Sequence, residues 1–286
     1  MCIETTHYTH GNILSKKKDS CIEMHNSWEK YVSFRRTVDV LHICDEQSIR
    51  AYVEALNLYR RETLYYYESL DNSGQQNLRS TILEEAFQHL FKDLVVEILG
   101  EERQNLVIGK ENSYVSMSFT PKSFTDLVAT PQPYIHTKDQ DFILGCSSNF
   151  IIFANEAERA AAQANHLVVP AVAIECKTYL ERNMLDSCAA TAERLKNAMP
   201  YCLYIVASEF LKMDDAEPEL SRIDEVYILC KASNAERLAK KEAGQPPHDI
   251  DPVLMIDLFN MVKRHLNSIW WSPNDALERG KIINRP

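Results

Sequence analysis

The stretch Val168-Val169-Pro170-Ala171-Val172-Ala173-Ile174 does more than any other to limit what this chain can fold into. Seven apolar residues rich in β-branching run straight into Glu175-Cys176-Lys177. Such a run reads as a strand, and a strand commits the chain to a sheet. Alternate side chains of a strand share a face, so Glu175 and Lys177 project together while Cys176 points the other way. A second apolar run, Phe142-Ile143-Leu144-Gly145, begins directly at Asp141. Two carboxylates and a cation at the ends of apolar strands can open into one cleft.

Around these strands the pattern is α/β. At 286 residues and 45% hydrophobic content the chain can bury a full core. Between residues 27 and 70, Trp28, Tyr31, Phe34, Val38, Leu41, Ile49, Tyr52, Val53, Leu56, Leu58 and Tyr59 recur largely at spacings of three and four, which predicts two or three helices. The aromatics from Tyr59 to Tyr67 read as core in preference to a base-stacking surface. Asp71-Asn72-Ser73-Gly74 is a turn signal, placing a boundary near residue 75 between a helical region (1–75) and the remainder (76–286). Ser80 and Thr81 can cap a helix whose stripe of Leu83, Ala86, Phe87, Leu90, Phe91, Leu94 and Val95 ends at Gly100. Short strands are expected at 105–109 and 113–119 and a loop at 120–133. A hairpin pairing 141–146 with 149–154 through Ser147-Ser148 follows, and then a polar insertion at 155–166. Beyond the Glu175 strand come a helix (183–199), strands at 201–207 and 225–229, a polar helix (235–242) and a last amphipathic helix (251–266). Helix, strands, helix, strand is the order of an α/β core.

Charge and cysteine usage narrow the classes. No apolar run approaches the ~18 residues of a membrane span, and Lys16-Lys17-Lys18 stands where a secretory signal would be apolar, which points to the cytoplasm. Eight cysteines fall without any C-x-x-C pair, arguing against a zinc ribbon. Cys2, His7, His10 and Cys21 have a spacing permissive for zinc, but their surroundings read as a frayed terminus. A net charge of -10 argues mildly against phosphate binding. Basic clusters at Lys16 to Lys18, Arg35-Arg36 and Arg60-Arg61 nevertheless leave room for one positive face, with a solvated helix surface as the equal alternative.

Phosphodiester hydrolysis needs a hard cation held by carboxylate oxygens, an aligned water, and positive charge near the phosphoryl oxygens. Asp141 and Glu175 suit the first task and Lys177 the last. In this respect the chain resembles the PD-(D/E)xK nuclease superfamily, which includes many type II restriction endonucleases. The resemblance covers about residues 80 to 210, and it implies a restriction-endonuclease-like αβββαβ core with a mixed central sheet. Asp141 matches the family aspartate, with Gln140 in the proline position and Asp139 as competitor; Glu175 and Lys177 match the acid and the lysine. A helix glutamate, Glu84 in preference to Glu85, completes the set. The implied cofactor is Mg2+, held by Asp141, Glu175 and the backbone carbonyl of Cys176. The implied substrate is double-stranded DNA, cut to a 5′-phosphate and a 3′-hydroxyl. A closer likeness is to heterodimeric enzymes of the BbvCI kind, in which two related but non-identical subunits each cut one strand. Base readers are expected in the helical N-terminal region or from Ser208 onward. Arg35, Arg36, Arg60 and Arg61 are equally suited to phosphate.

Two other readings remain open at this point. One keeps the nuclease chemistry for DNA repair or structure-specific cleavage, indifferent to sequence. The other is a non-catalytic helical interaction protein, favoured by the acidic charge and abundant tyrosine, in which the 141–177 region is only a sheet.

Overall fold

The computed structural model describes residues 7–70, 77–100, 104–129, 133–153, 159 and 164–281. Four helices come first: α1 (Thr9–Lys17), α2 (Ile22–Val38), α3 (Glu46–Ser69) and α4 (Leu78–Leu99). A five-stranded mixed sheet follows, with β1 (Leu106–Phe119), β2 (Pro133–Ile151), β3 (Ala164–Leu180), β4 (Leu203–Leu211) and β5 (Glu225–Ser233) lying side by side in chain order. β1, β2 and β3 are antiparallel neighbours, whereas β3, β4 and β5 run parallel. The remaining helices are α5 (Phe124–Ala129), α6 (Arg182–Ala198), α7 (Asn234–Glu242), α8 (Pro252–Asn267) and α9 (Pro273–Arg279). Among the described residues no helix is long and apolar enough to cross a membrane.

Strand alternation builds the layers. Val172, Ile174 and Cys176 of β3 face a large apolar cluster that also holds Phe87 and Phe91 of α4, Phe259 of α8 and the cores of α1, α2 and α3. Ala173 faces the opposite side, where Ile143, Tyr204 and Val206 meet Leu185, Cys188, Ala192 and Leu195 of α6. The sheet is therefore sandwiched between α6 on one face and α4 and α8 on the other, as expected for an α/β core, and the helical N-terminal region shares its apolar cluster with the sheet.

Several local expectations change. The hairpin at Ser147-Ser148 does not form: β2 runs unbroken from Pro133 to Ile151, and its antiparallel partner is β3, with Ser147 opposite Val168. Ser147 and Ser148 lack the positive-φ chemistry that a two-residue hairpin turn demands. The two short strands at 105–119 are one long strand, β1. The 120–133 segment contains the one-and-a-half-turn α5, none of whose residues is buried. The cap of α4 is Asn77, whose side chain accepts from the Arg79 N–H, in place of Ser80 or Thr81. The turn signal at 71–74 and most of the insertion at 155–166 lie outside the described residues.

The terminus read as frayed holds α1, with His10, Gly11 and Leu14 buried. His10 uses both ring nitrogens on protein partners, Thr81 Oγ1 at 2.9 Å and Tyr59 Oη at 2.7 Å, which removes it from the zinc set. Cys2 of that set lies outside the described residues. Tyr59 and Tyr67 are buried and hydrogen-bonded to each other, so these two are core, while Tyr65 and Tyr66 are half-buried.

Two of the four arginines also turn inward. Arg60 is 1% exposed and pairs with the buried Glu209 at 2.5 Å, fastening α3 to β4. Arg35 sits over the Tyr8 ring and binds Tyr31 and Asp39. Neither can reach a phosphate as placed. Arg61 is exposed and paired with Asp249, and Arg36 is exposed.

Candidate active site

The sheet forks where the charged residues stand. β2 and β3 pair from Ile151 and Ala164 up to Phe142 and Ile174, and there the β2–β3 ladder ends; beyond it β2 keeps only β1, and β3 keeps β4. Asp141 and Glu175 are the first residues past that point. Opposite them the β1–β2 register jumps from Gly109↔Ile143 to Glu111↔Gln140, so Lys110 alone faces both Asp141 and Phe142. This is a β-bulge, a device that re-aims side chains beside functional sites. Gly109, with φ +120, supplies backbone that other residues rarely adopt. From the helix side, α4 lays Glu84 against the same cleft, a space of about 560 Å³ also lined by Asn77, Arg79, Asp139, Thr178 and Tyr179.

The contacts form a chain of alternating charge. Lys177 Nζ lies 2.6 Å from Glu175 Oε1 and 3.7 Å from Asp141 Oδ2. Lys110 Nζ lies 3.8 Å from Asp141 Oδ1 and 3.2 Å from Glu84 Oε2. The Cys176 N–H donates to Asp141 Oδ2 at 2.9 Å, which ties the aspartate to the neighbouring strand. Cys176 itself points into the apolar cluster on the other face.

Electrostatics follow from crowding carboxylates in a half-dry cleft. Burial pushes the Glu84 carboxyl up to about 7, Asp141 adds to the rise, and Lys110 opposes it. Burial, then Asp141, raises Glu175 as well, against the pull of Lys177. For Lys177 burial opposes the charge, but Glu175 and Asp141 outweigh it and hold the ammonium protonated well above the ordinary lysine value. Lys110 is raised for the same reason, by Glu84 and Asp141.

The structure thus brings Asp141, Lys177 and Glu84 onto one cleft, with Glu175 joined to them through Lys177. Asp139 lines it too. Glu85, one residue from Glu84, points away: it accepts from the Gly11 N–H at 2.8 Å, the Tyr31 hydroxyl at 2.7 Å and His89 at 3.3 Å. Sequence reasoning missed Lys110 and Arg79. The signal for Lys110 was the lone glycine before it inside a strand pattern, which marks a bulge.

Among the described residues no three His, Cys, Asp or Glu side chains already stand at metal-ligand spacing; the two ammonium groups lie between the carboxylates. The chemistry of the donors still fits a hard divalent cation. They are carboxylate oxygens, partly buried, whose raised Glu84 and Glu175 values express a need for positive charge.

This five-stranded mixed sheet flanked by helices is the fold of a restriction endonuclease. A solved structure described as the native BbvCI A2B2 tetramer at low resolution matches with a TM-score of 0.68, covering 93% of this chain and 98% of that one at 18% identity. The family model of the Bpu10I restriction endonuclease matches residues 75–282, and the chain belongs to that family. No curated protein matches the sequence.

Proposed function

We propose that this chain is a type II restriction enzyme, or the subunit of one that cuts a single strand, working in the cytoplasm on double-stranded DNA with magnesium. Family membership supplies the nuclease; the observation that carries the chemistry is Asp141, Glu175 and Lys177 meeting at the fork, with the Cys176 N–H on Asp141. Asp141, Glu175 and the Cys176 carbonyl are assigned to the cation, with Glu84 closing the set. When bound, the cation supplies Lewis acidity and a more acidic water.

The side chains do the rest. The Cys176 N–H fixes the direction of the Asp141 carboxylate. Lys177, kept protonated by two carboxylates, is not a proton acceptor as found; its ammonium offsets charge on the scissile phosphate and orients the water. Arg79 lies on the same cleft and suits a neighbouring phosphate. The water oxygen bonds to phosphorus as the P–O3′ bond breaks; one water proton passes to solvent and the departing 3′-oxygen takes one up, leaving a 5′-phosphate and a 3′-hydroxyl. The helical region to residue 75 is assigned to subunit or DNA contacts, through exposed residues such as Lys16 and Arg36. We assign the partner as a related, non-identical subunit, a reading supported by the A2B2 description of the structural relative.

The test is supercoiled plasmid incubated with magnesium and this chain, alone and with the product of the neighbouring gene. Discrete fragments, or nicks at fixed positions from the single chain, are expected, and Glu175→Ala and Lys177→Ala should abolish them. Cleavage unchanged in both variants refutes the site. Calcium titration calorimetry should lose its signal in Asp141→Asn.

A further inference from the structure

Lys177 and Lys110 flank Asp141, yet they are held differently. Lys177 sits on Glu175 at 2.6 Å, within the range of a strong ammonium–carboxylate hydrogen bond. Lys110 is shared between two acids: it donates a longer hydrogen bond to Glu84 at 3.2 Å and stands 3.8 Å from Asp141. Its side chain is 20% exposed at the cleft, on a flexible four-carbon stem projected by the bulge. A divalent cation drawing on Asp141 and Glu84 would compete for the oxygens that hold this ammonium, and would repel it at short range. The route open to it is toward the cleft, where the negative partner of a nuclease is a DNA phosphate.

We propose that Lys110 is a positioning residue that rivals the divalent cation: it holds Glu84 and Asp141 together in the metal-free protein and, once displaced, pairs with a phosphate of the DNA backbone. DNA engagement is thereby coupled to metal occupancy. The inference rests on the proposed function.

The full-length chain, with Lys110→Met and Lys110→Arg beside it, is titrated with calcium by calorimetry at about pH 8. Binding to a synthetic duplex is then measured over a salt series, with and without calcium. Lys110→Met should bind calcium at least about fivefold more tightly, with Lys110→Arg close to the parent. In calcium, Lys110→Met should lower the slope of log affinity against log salt by about one, the contribution of one phosphate contact, while without calcium the slopes should coincide. A lysine that merely supports the strand would move neither reading in this way. Calcium affinity unchanged or weaker in Lys110→Met, with Asp141→Asn still abolishing the signal, overturns this inference alone. Calcium binding that survives Asp141→Asn overturns the proposed metal site with it.

Discussion

Replacing Glu84 by glutamine should stabilise the metal-free protein in alkaline conditions. The carboxyl is 5% exposed and raised from 4.5 to about 7, by burial first and then by Asp141. Between those values the folded chain keeps a proton that the unfolded chain has released, so stability falls as pH rises through this window and the cost is complete above it. The window spans about 2.5 pH units, each worth about 1.4 kcal/mol, which bounds the cost at about 3.5 kcal/mol. Glutamine mimics the protonated acid and leaves Lys110 with Asp141 alone, so a gain of about 2 kcal/mol is expected. Urea unfolding with a chelator, at about pH 5 and about pH 8.5, should show the two proteins nearly equal in acid and the variant ahead in base. Saturating calcium, about 100-fold above its dissociation constant, should add about 2.7 kcal/mol to the parent and much less to the variant. A stability difference that does not change with pH refutes the reasoning.

Three further outcomes follow from other parts of the fold. Arg60→Met strands Glu209 in the core and should cost about 3–5 kcal/mol by urea unfolding, while adding Glu209→Met should recover most of it. Gly145→Ala would drive a Cβ into the Val169 carbonyl oxygen where the β2–β3 register shifts; a loss of about 1–3 kcal/mol and a lower melting temperature are expected. His10, which burial lowers from 6.5 to about 4 against the pull of Glu85, stays neutral when folded. Its contribution is present above 6.5 and lost as pH falls through 4, about 3 kcal/mol in all, so His10→Gln should flatten that acid limb of the stability profile.

What could be read from the sequence was what hydrophobic pattern encodes. The β3 run, the stripe of α4 ending at Gly100 and the helices α6 and α8 all declare themselves by period, and the Glu175-Cys176-Lys177 triplet follows from strand alternation alone. Between Glu84 and Glu85, about 100° apart on one helix, the sequence offers a preference and no decision, because α4 is buried nearly all round and each acid's partners come from other segments. The parts that escaped are those held by polar burial. α1 carries few apolar residues, and it is fastened by His10 and by the Gly11 N–H on Glu85, contacts that no hydropathy period records. Arg60 and Arg35 look like surface charges until the partners supplied by distant segments, Glu209 and Tyr8, come into place. Lys110 depends on a register jump between two strands, which is a property of the pair and not of either sequence.

The adjacent acids on α4 also bear on how such a protein can diversify. Glu84 lines the cleft while Glu85, held down to about 2 by hydrogen bonds from His89 and Gly11 against the effect of burial, anchors α1 and α2. A single-residue insertion between Leu78 and Glu84 would turn every later side chain by about 100° relative to the helix start, carrying both acids off their partners together. Added length at α5, none of whose residues is buried, would therefore disturb no buried contact, while α4 must keep its residue count.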